Sequence, residues 1–162
     1  MEIALLSSNE IDKVVPLAAA FRVELRSYKG IASDPDLTQA REEIQEYLRM
    51  DYPVYVAMDG PSCVGYMVCR IAEPTVWVES IYVSEAYRRK GVATSLFDQA
   101  EAIAASFGEE TVFNYVHPNN DAMIAFLGRH GYTVLNLIEI RKPYRGERLS
   151  SKIQVAGNPF DY

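Results

Sequence analysis

The stretch Tyr82–Phe97, YVSEAYRRKGVATSLF, decides the reading of this chain. An apolar β-type segment ends, Arg88, Arg89 and Lys90 follow side by side, and Gly91 leads into a helix-forming run. A strand, a tight glycine loop and a helix start together aim unpaired backbone N–H groups at an anion. The first four N–H groups of a helix have no internal acceptor, and the helix dipole adds positive character there. Gly91 and the small Ala93 let a ligand come close to the backbone. The three cations add charge suited to phosphate. The competing reading is a solvated cationic loop before an ordinary helix, and the spacing alone leaves both open. The loop is neither GxGxxG nor GxxxxGK[ST], which weighs against the usual dinucleotide and nucleoside-triphosphate sites.

The rest of the chain sets this loop in a single-domain context. Its 162 residues are 49% hydrophobic and 23% charged, as in a water-soluble globular domain. No apolar run approaches the ~20 residues that cross a bilayer. The first residues, MEIALLSSNEIDK, carry acids where a secretory signal would be basic, so a cytoplasmic protein is expected. Cys63 and Cys69 fall in one strand-like segment, too far apart in an extended chain to bridge each other, and read as reduced buried side chains. With only His117 and His130 as further soft ligands, no metal site is expected. The formal charge of −6 argues against nucleic acid as a partner and favours a cationic one. The cations at 88–90 therefore run against the balance of the molecule.

Periodicity gives the order of elements. EIALL is a short strand, and Asn9 caps an expected helix from about Ile11 to Tyr28, with Gly30 just past its end. Asp36 and Gln39 resemble a capping box for a second helix ending near Met50. PVYVAM and CVGYMVCRI around DGPS read as a hairpin, and VWVESIYV as the next strand. After the cationic loop, Leu96, Ala100, Ile103 and Phe107 recur at helical spacing up to Gly108. TVFNYV, DAMIAFLGRH and YTVLNLIEI then read as strand, helix and strand, ahead of a polar and aromatic tail. The order β-α-α-β-β-β-α-β-α-β implies mixed α/β architecture with a mostly antiparallel sheet.

YRRKGVAT resembles the Arg/Gln-x-x-Gly-x-Gly/Ala signature of the GNAT superfamily of N-acetyltransferases, with Arg88, Gly91 and Ala93 at its three positions. NDAMIAFLGRHGY resembles the late helix of that family, which opens on asparagine and closes on Gly-Phe/Tyr. The resemblance covers about residues 1–142. It implies a GNAT-like, mostly antiparallel twisted sheet of six to seven strands flanked by about four helices. The acetyltransferase domain would span 1–143, and 144–162 would be a tail able to add or swap a strand, so a homodimer is one expected state. The implied co-substrate is acetyl-CoA. The amides of Arg89, Lys90, Gly91, Val92, Ala93 and Thr94 would hold its pyrophosphate, and Ile81, Tyr82 and Val83 would pair their backbone with the pantetheine arm. A bulge in this strand would splay it from its parallel neighbour, with Val83 N–H as donor to the thioester carbonyl. Asn120 and Phe126 would line the CoA groove. For Asn120 a plain N-cap is the alternative, and Asn119 could equally fill that role.

The implied reaction is direct acetyl transfer to the primary amine of a small cationic molecule. An alkylammonium must lose a proton before it attacks. Glu79, in an otherwise apolar strand four residues before Val83, is the expected base, and a salt bridge to Arg70 on the neighbouring strand is its structural alternative. Many family members place a tyrosine after the phenylalanine of the late helix to protonate the leaving thiolate, but here Leu127 follows Phe126. Tyr115, His117 and Tyr132 are the nearby substitutes, and a thiolate can also leave unprotonated. The acids in EEIQE, residues 42–46, and the segment 26–38 would shape the acceptor site. Two rival functions remain: transfer to a peptide or protein amine, and a non-catalytic acyl-CoA-binding module, the latter favoured by Leu127.

Overall fold

The computed structural model describes residues 1–162. The chain divides into two compact units, Met1–Phe126 and Leu127–Tyr162. In the first, β1 (Glu2–Leu5), β2 (Val54–Asp59), β3 (Ser62–Ala72), β4 (Thr75–Val83) and β5 (Phe113–Asn114) form one sheet in that spatial order. The first three pairings are antiparallel, and β5 joins β4 in parallel. No helix is long and apolar enough to cross a membrane.

Residue alternation on the strands separates the two faces of the sheet. Val54, Val56, Tyr66 and Val68 pack with Val14, Val15, Ala18 and Ala19 and with Ala40 and Ile44. The last five of these lie on α1 (Val15–Ser27) and α2 (Leu37–Arg49), which cover this face. Intervening positions of β3 meet α3 (Val92–Ser106). A Cβ added at Gly65 would lie 3.2 Å from Val92 Cγ1 and 3.3 Å from Leu96 Cδ1. The central strand β3 is buried on both faces from Val64 to Cys69, which is why its sequence is continuously apolar rather than alternating.

The first helix starts later than its periodicity implies. Residues Ser8–Lys13 form a 3-10 turn and α1 begins at Val15, with no side-chain cap from Asn9. Pro16 explains the delay, because proline is tolerated in the first turn of a helix and would break an interior that began at Ile11. At α2 the Asp36 carboxylate does accept from Gln39 N–H, at 2.9 Å.

The second unit departs furthest from expectation. Residues 132–140 form no strand, and Val134, Leu135, Leu137, Ile138 and Ile140 are exposed. High β-propensity makes a strand only where a neighbouring ladder accepts it, and this segment has none. The sheet thus holds five strands instead of six or seven. The remaining two, β6 (Lys152–Val155) and β7 (Asn158–Asp161), pair with each other. Ala156 and Gly157 turn between them with φ of 50° and 80°, the two positive values of a two-residue hairpin loop.

Candidate functional site

The site forms where β4 and β5 part. Their pairing consists of Trp77 opposite Phe113 and Val78 opposite Asn114. Immediately beyond it β4 is bulged: Cys69 faces Val78 and Val68 faces Ser80, so Glu79 is the extra residue. The bulge turns two successive side chains to one face. Ser80 lies opposite Val68, on the α1/α2 face, and Glu79 is ion-paired on that same face to Arg70, two residues along β3 from Val68.

Past the bulge the outer edge of β4 is open. Ser84 N–H donates to the Val64 carbonyl at 2.9 Å, toward β3. Antiparallel alternation then points the N–H groups of Val83 and Ile81 to the opposite edge, where β5 no longer runs. Tyr82 faces inward and packs against Phe21 of α1, with ring centroids 5.9 Å apart.

The cationic loop follows at the end of that edge. Arg89 has φ of 63° and Gly91, the N-cap of α3, has φ of 81°, a conformation that suits glycine. The first bond into α3 runs from Ser95 N–H to the Gly91 carbonyl, 3.0 Å. The amides of Val92 and Ala93 precede it and have no acceptor in the helix, and those of Arg89, Lys90 and Gly91 bond nowhere in the chain. Thr94 completes the first turn. Five consecutive donors thus converge on one turn at a helix N-terminus. An added Cβ at Gly91 would touch nothing within 4 Å, so the surface there is open.

The three cations differ in their surroundings. Arg88 turns back on the strand, donating through Nε to the Val83 carbonyl at 3.0 Å and through Nη2 to Glu24 at 2.6 Å, with its guanidinium 5.3 Å from the Tyr82 ring centroid. Glu24 also accepts from the Tyr28 hydroxyl at 2.7 Å. Burial, then Glu24, raise the Tyr28 phenol above its ordinary range. Glu24 therefore fastens α1 to the loop, a role with no sequence signal because it sits 64 residues from Arg88. Lys90 Nζ lies 5.0 Å over the Tyr87 ring, and Arg89 is exposed.

Glu79 has both of the surroundings expected for it. Its Oε1 accepts from Arg70 Nε at 2.5 Å, and the Arg70 guanidinium stacks 4.0 Å over Trp77. Its side chain is nevertheless 24% exposed, and the residue lines a cavity of about 50 Å³ with Ser80, Asn114, Tyr115, His117 and Asn120. Asn120 is the N-cap of α4 (Asp121–Arg129): its Oδ1 accepts from Met123 N–H at 3.0 Å. Asn119 instead donates through Nδ2 to the Tyr28 carbonyl at 2.8 Å, tying this loop to the end of α1. Phe126 packs edge-on against Phe97 of α3, 5.6 Å between centroids. Leu127 is buried and has no proton to give. Of its substitutes, Tyr115 is exposed on the cavity rim, and His117 stacks on Tyr28 at 5.9 Å. Burial, then Lys29, lower the His117 imidazole below its ordinary value.

Beside the small cavity, and sharing Leu25 and His117 with it, lies an open cleft of about 800 Å³ between α1 and α2. The acids at 42–46 do not make this cleft acidic. Glu43 is held by Arg22 and Glu46 by Arg49, while Arg26 and Lys29 add two further cations to the walls.

Comparison with known proteins shows the family and the fold. Residues 17–132 match the model of the acetyltransferase (GNAT) family. No curated protein sequence matches the chain. Among solved structures, an aminoglycoside 6'-N-acetyltransferase from Acinetobacter haemolyticus is 20% identical with a TM-score of 0.66, over 90% of this chain and 100% of that one. A ribosomal-protein-alanine N-acetyltransferase from Brucella melitensis biovar Abortus is likewise 20% identical with a TM-score of 0.66, over 89% and 100%. A second aminoglycoside 6'-N-acetyltransferase, in complex with a bisubstrate analogue joining CoA to acetylneamine, is 19% identical with a TM-score of 0.66, over 88% and 98%. At these identities the likeness is one of fold.

Proposed function

The chain belongs to the acetyltransferase (GNAT) family, and from that premise we propose that it uses acetyl-CoA to acetylate the primary amine of a small substrate directly. The observation that carries this reading is the turn at residues 89–93, whose unpaired amides lie at a helix N-terminus beside an open strand edge. Such a turn suits a diphosphate, and the outward N–H groups of Ile81 and Val83 suit the amide-bearing arm that follows it. The solved relative with a CoA-linked analogue supports the same choice of co-substrate. Bound acetyl-CoA supplies an activated acyl group as a thioester.

The residues of the chain account for the rest of the reaction. Arg89 and Lys90 neutralise phosphate charge, whereas Arg88, committed to Glu24 and the Val83 carbonyl, holds the loop against β4. Val83 N–H is the donor to the thioester carbonyl oxygen. Glu79 takes the proton released as the amine nitrogen forms its bond to the acetyl carbon, and the sulfur leaves with the electrons of the broken C–S bond. One carboxylate oxygen of Glu79 is held by Arg70, which leaves Oε2 to accept. Because a thiol ionises near pH ~8.5, the leaving sulfur needs no obligatory acid, which suits Leu127. Tyr115 is the best placed donor should one act, since it stands on the rim of the same cavity.

The cleft between α1 and α2 favours one second reading. It is open and large enough for a few residues of peptide, so the amine of a peptide end is the alternative acceptor. The test is binding of acetyl-CoA alone, followed by thiol release with polyamines, amino sugars, amino acids and short peptides. Tight acetyl-CoA binding with release stimulated by a small amine supports the proposal. Stimulation by peptides alone supports the alternative, and absence of acetyl-CoA binding overturns both.

A further inference from the structure

The last peptide of β4 is held from both sides. Ser84 N–H donates to the Val64 carbonyl at 2.9 Å, and the Val83 carbonyl accepts from Arg88 Nε at 3.0 Å. In an antiparallel ladder one residue sends its N–H and its carbonyl to the same edge. Val83 faces Gly65 one step from the Ser84–Val64 bond, so both of its groups point to the open edge of β4. The carbonyl that takes Arg88 and the N–H that meets the thioester oxygen on the acetyl-transfer reading are therefore neighbours on one residue. Val83 cannot leave its extended geometry without losing the Arg88 bond.

Arg88 is itself placed by its surroundings. Its Nη2 donates to Glu24 Oε2 at 2.6 Å, and its guanidinium lies 5.3 Å from the Tyr82 ring centroid. Glu24 spends its other oxygen on the Tyr28 hydroxyl, at 2.7 Å. The ion pair is 40% exposed at Arg88 and 31% at Glu24, a depth at which such pairs add little stability. Its geometry matters more than its energy. Nε and Nη2 of one planar guanidinium join a carboxylate of α1 to a carbonyl of β4, an arrangement that a lysine cannot copy. The same helix builds the acceptor side, because Phe21 and Leu25 of α1 line the cavity that holds Glu79. One helix thus walls the space beside Glu79 and, through Glu24 and Arg88, grips the strand edge opposite the loop.

Resting on the acetyl-transfer reading, we infer that Glu24 is a positioning residue for the acyl group: through Arg88 it fixes the Val83 peptide so that Val83 N–H meets the thioester oxygen. Glu24 acts through Arg88 alone. Its loss is felt in the polarisation of the carbonyl and in turnover, not in the affinity for acetyl-CoA, which rests on the amides at 89–93.

The test uses the whole chain and acetyl-CoA with an isotope-labelled acetyl carbonyl. Infrared difference spectra read the thioester stretch, and titration gives the Kd. Thiol release with polyamines, amino sugars, amino acids and short peptides gives kcat for the fastest amine. Glu24→Ala should raise the stretch of the bound carbonyl toward that of one with no donor. It should also lower kcat at least about 10-fold, part of the ~10²–10³ that loss of a whole oxyanion donor costs, with Kd within about three-fold of the parent. Glu24→Gln should recover most of both, because its oxygen accepts from Arg88 and its amide donates to the Tyr28 hydroxyl. Arg88→Lys keeps the charge and loses the fork, so it should repeat the Glu24→Ala result and decides the matter if Glu24→Ala fails to fold. Tyr28→Phe leaves the Glu24–Arg88 bond in place and should match the parent. A parent that releases thiol, with stretch and kcat unmoved in Glu24→Ala and Arg88→Lys, would overturn the inference and leave the acetyl-transfer reading standing. So would a Kd raised as far as kcat falls, the mark of a strut for the loop, or a Glu24→Gln no better than Glu24→Ala. No thiol release by the parent with any amine would overturn the two together.

Discussion

Glu79→Gln separates a base from a strut, because the two roles differ in magnitude. The carboxylate and the Arg70 guanidinium are 24% and 28% exposed, so the pair lies between the surface and interior regimes. Exposed pairs contribute about 0.2–1 kcal/mol, and removing one partner of a buried pair costs about 3–5 kcal/mol. Glutamine keeps an oxygen for the Arg70 Nε–H, and Arg70 keeps its stacking on Trp77. The loss is therefore about 1–2 kcal/mol, a fall in thermal midpoint of roughly 2–8 °C for a chain of this size. Loss of a general base costs far more, ~10²–10⁴-fold in turnover. The assay pairs thermal unfolding and acetyl-CoA titration with kcat for the best amine. The account expects a small drop in midpoint, acetyl-CoA affinity within about two-fold of the parent, and a kcat at least ~100-fold lower. A kcat within about three-fold of the parent, with the midpoint lowered by that amount, would refute Glu79 as base and leave it as the anchor of Arg70.

Other perturbations test the supporting structure. Gly65→Ala places a Cβ 3.1 Å from the Tyr82 carbonyl oxygen and against Val92 and Leu96, so α3 must shift; a loss of about 1–3 kcal/mol in chemical denaturation, with weaker acetyl-CoA binding, is expected. Asn120→Ala removes the α4 cap and should cost about 1 kcal/mol, whereas Asn120→Ser restores the cap; if only Asn120→Ala weakens acetyl-CoA binding, the residue acts through the helix and not through the ligand. His117 is lowered by burial and by Lys29, and its Nδ1 accepts from Asn119 N–H at 3.2 Å. For a base with a depressed folded-state value the unfolded chain takes the proton first, so this stabilisation is complete above pH ~6.5 and is lost as pH falls below it. Urea midpoints measured across that range should slope upward with pH, and His117→Gln should flatten the slope.

How much of this was legible in the sequence depends on how local each feature is. The strand–loop–helix unit at 82–97 was, because Gly91, the cations and the helical repeat from Leu96 all lie within one short segment. The two possible surroundings of Glu79 were also legible, since a turn near Pro74 brings Arg70 close to it across the hairpin. The bulge was not: VWVESIYV alternates acceptably without one, and only the register against β3 makes Glu79 the extra residue. The commitment of Arg88 to Glu24 was equally out of reach, because it joins two separate elements. Pro16 is a local signal for the start of α1 at Val15, because proline suits the first turn of a helix. The segment 132–140 shows the opposite case: its β-propensity is strong, yet it forms no strand.

The central claim is that main-chain donors between Arg89 and Ala93 clasp the diphosphate of coenzyme A. A crystal structure of the protein with coenzyme A tests it most directly. The account predicts diphosphate oxygens within about 3 Å of several of those amide nitrogens. Coenzyme A bound with its diphosphate elsewhere, or a turn still bare at saturating ligand, would contradict it.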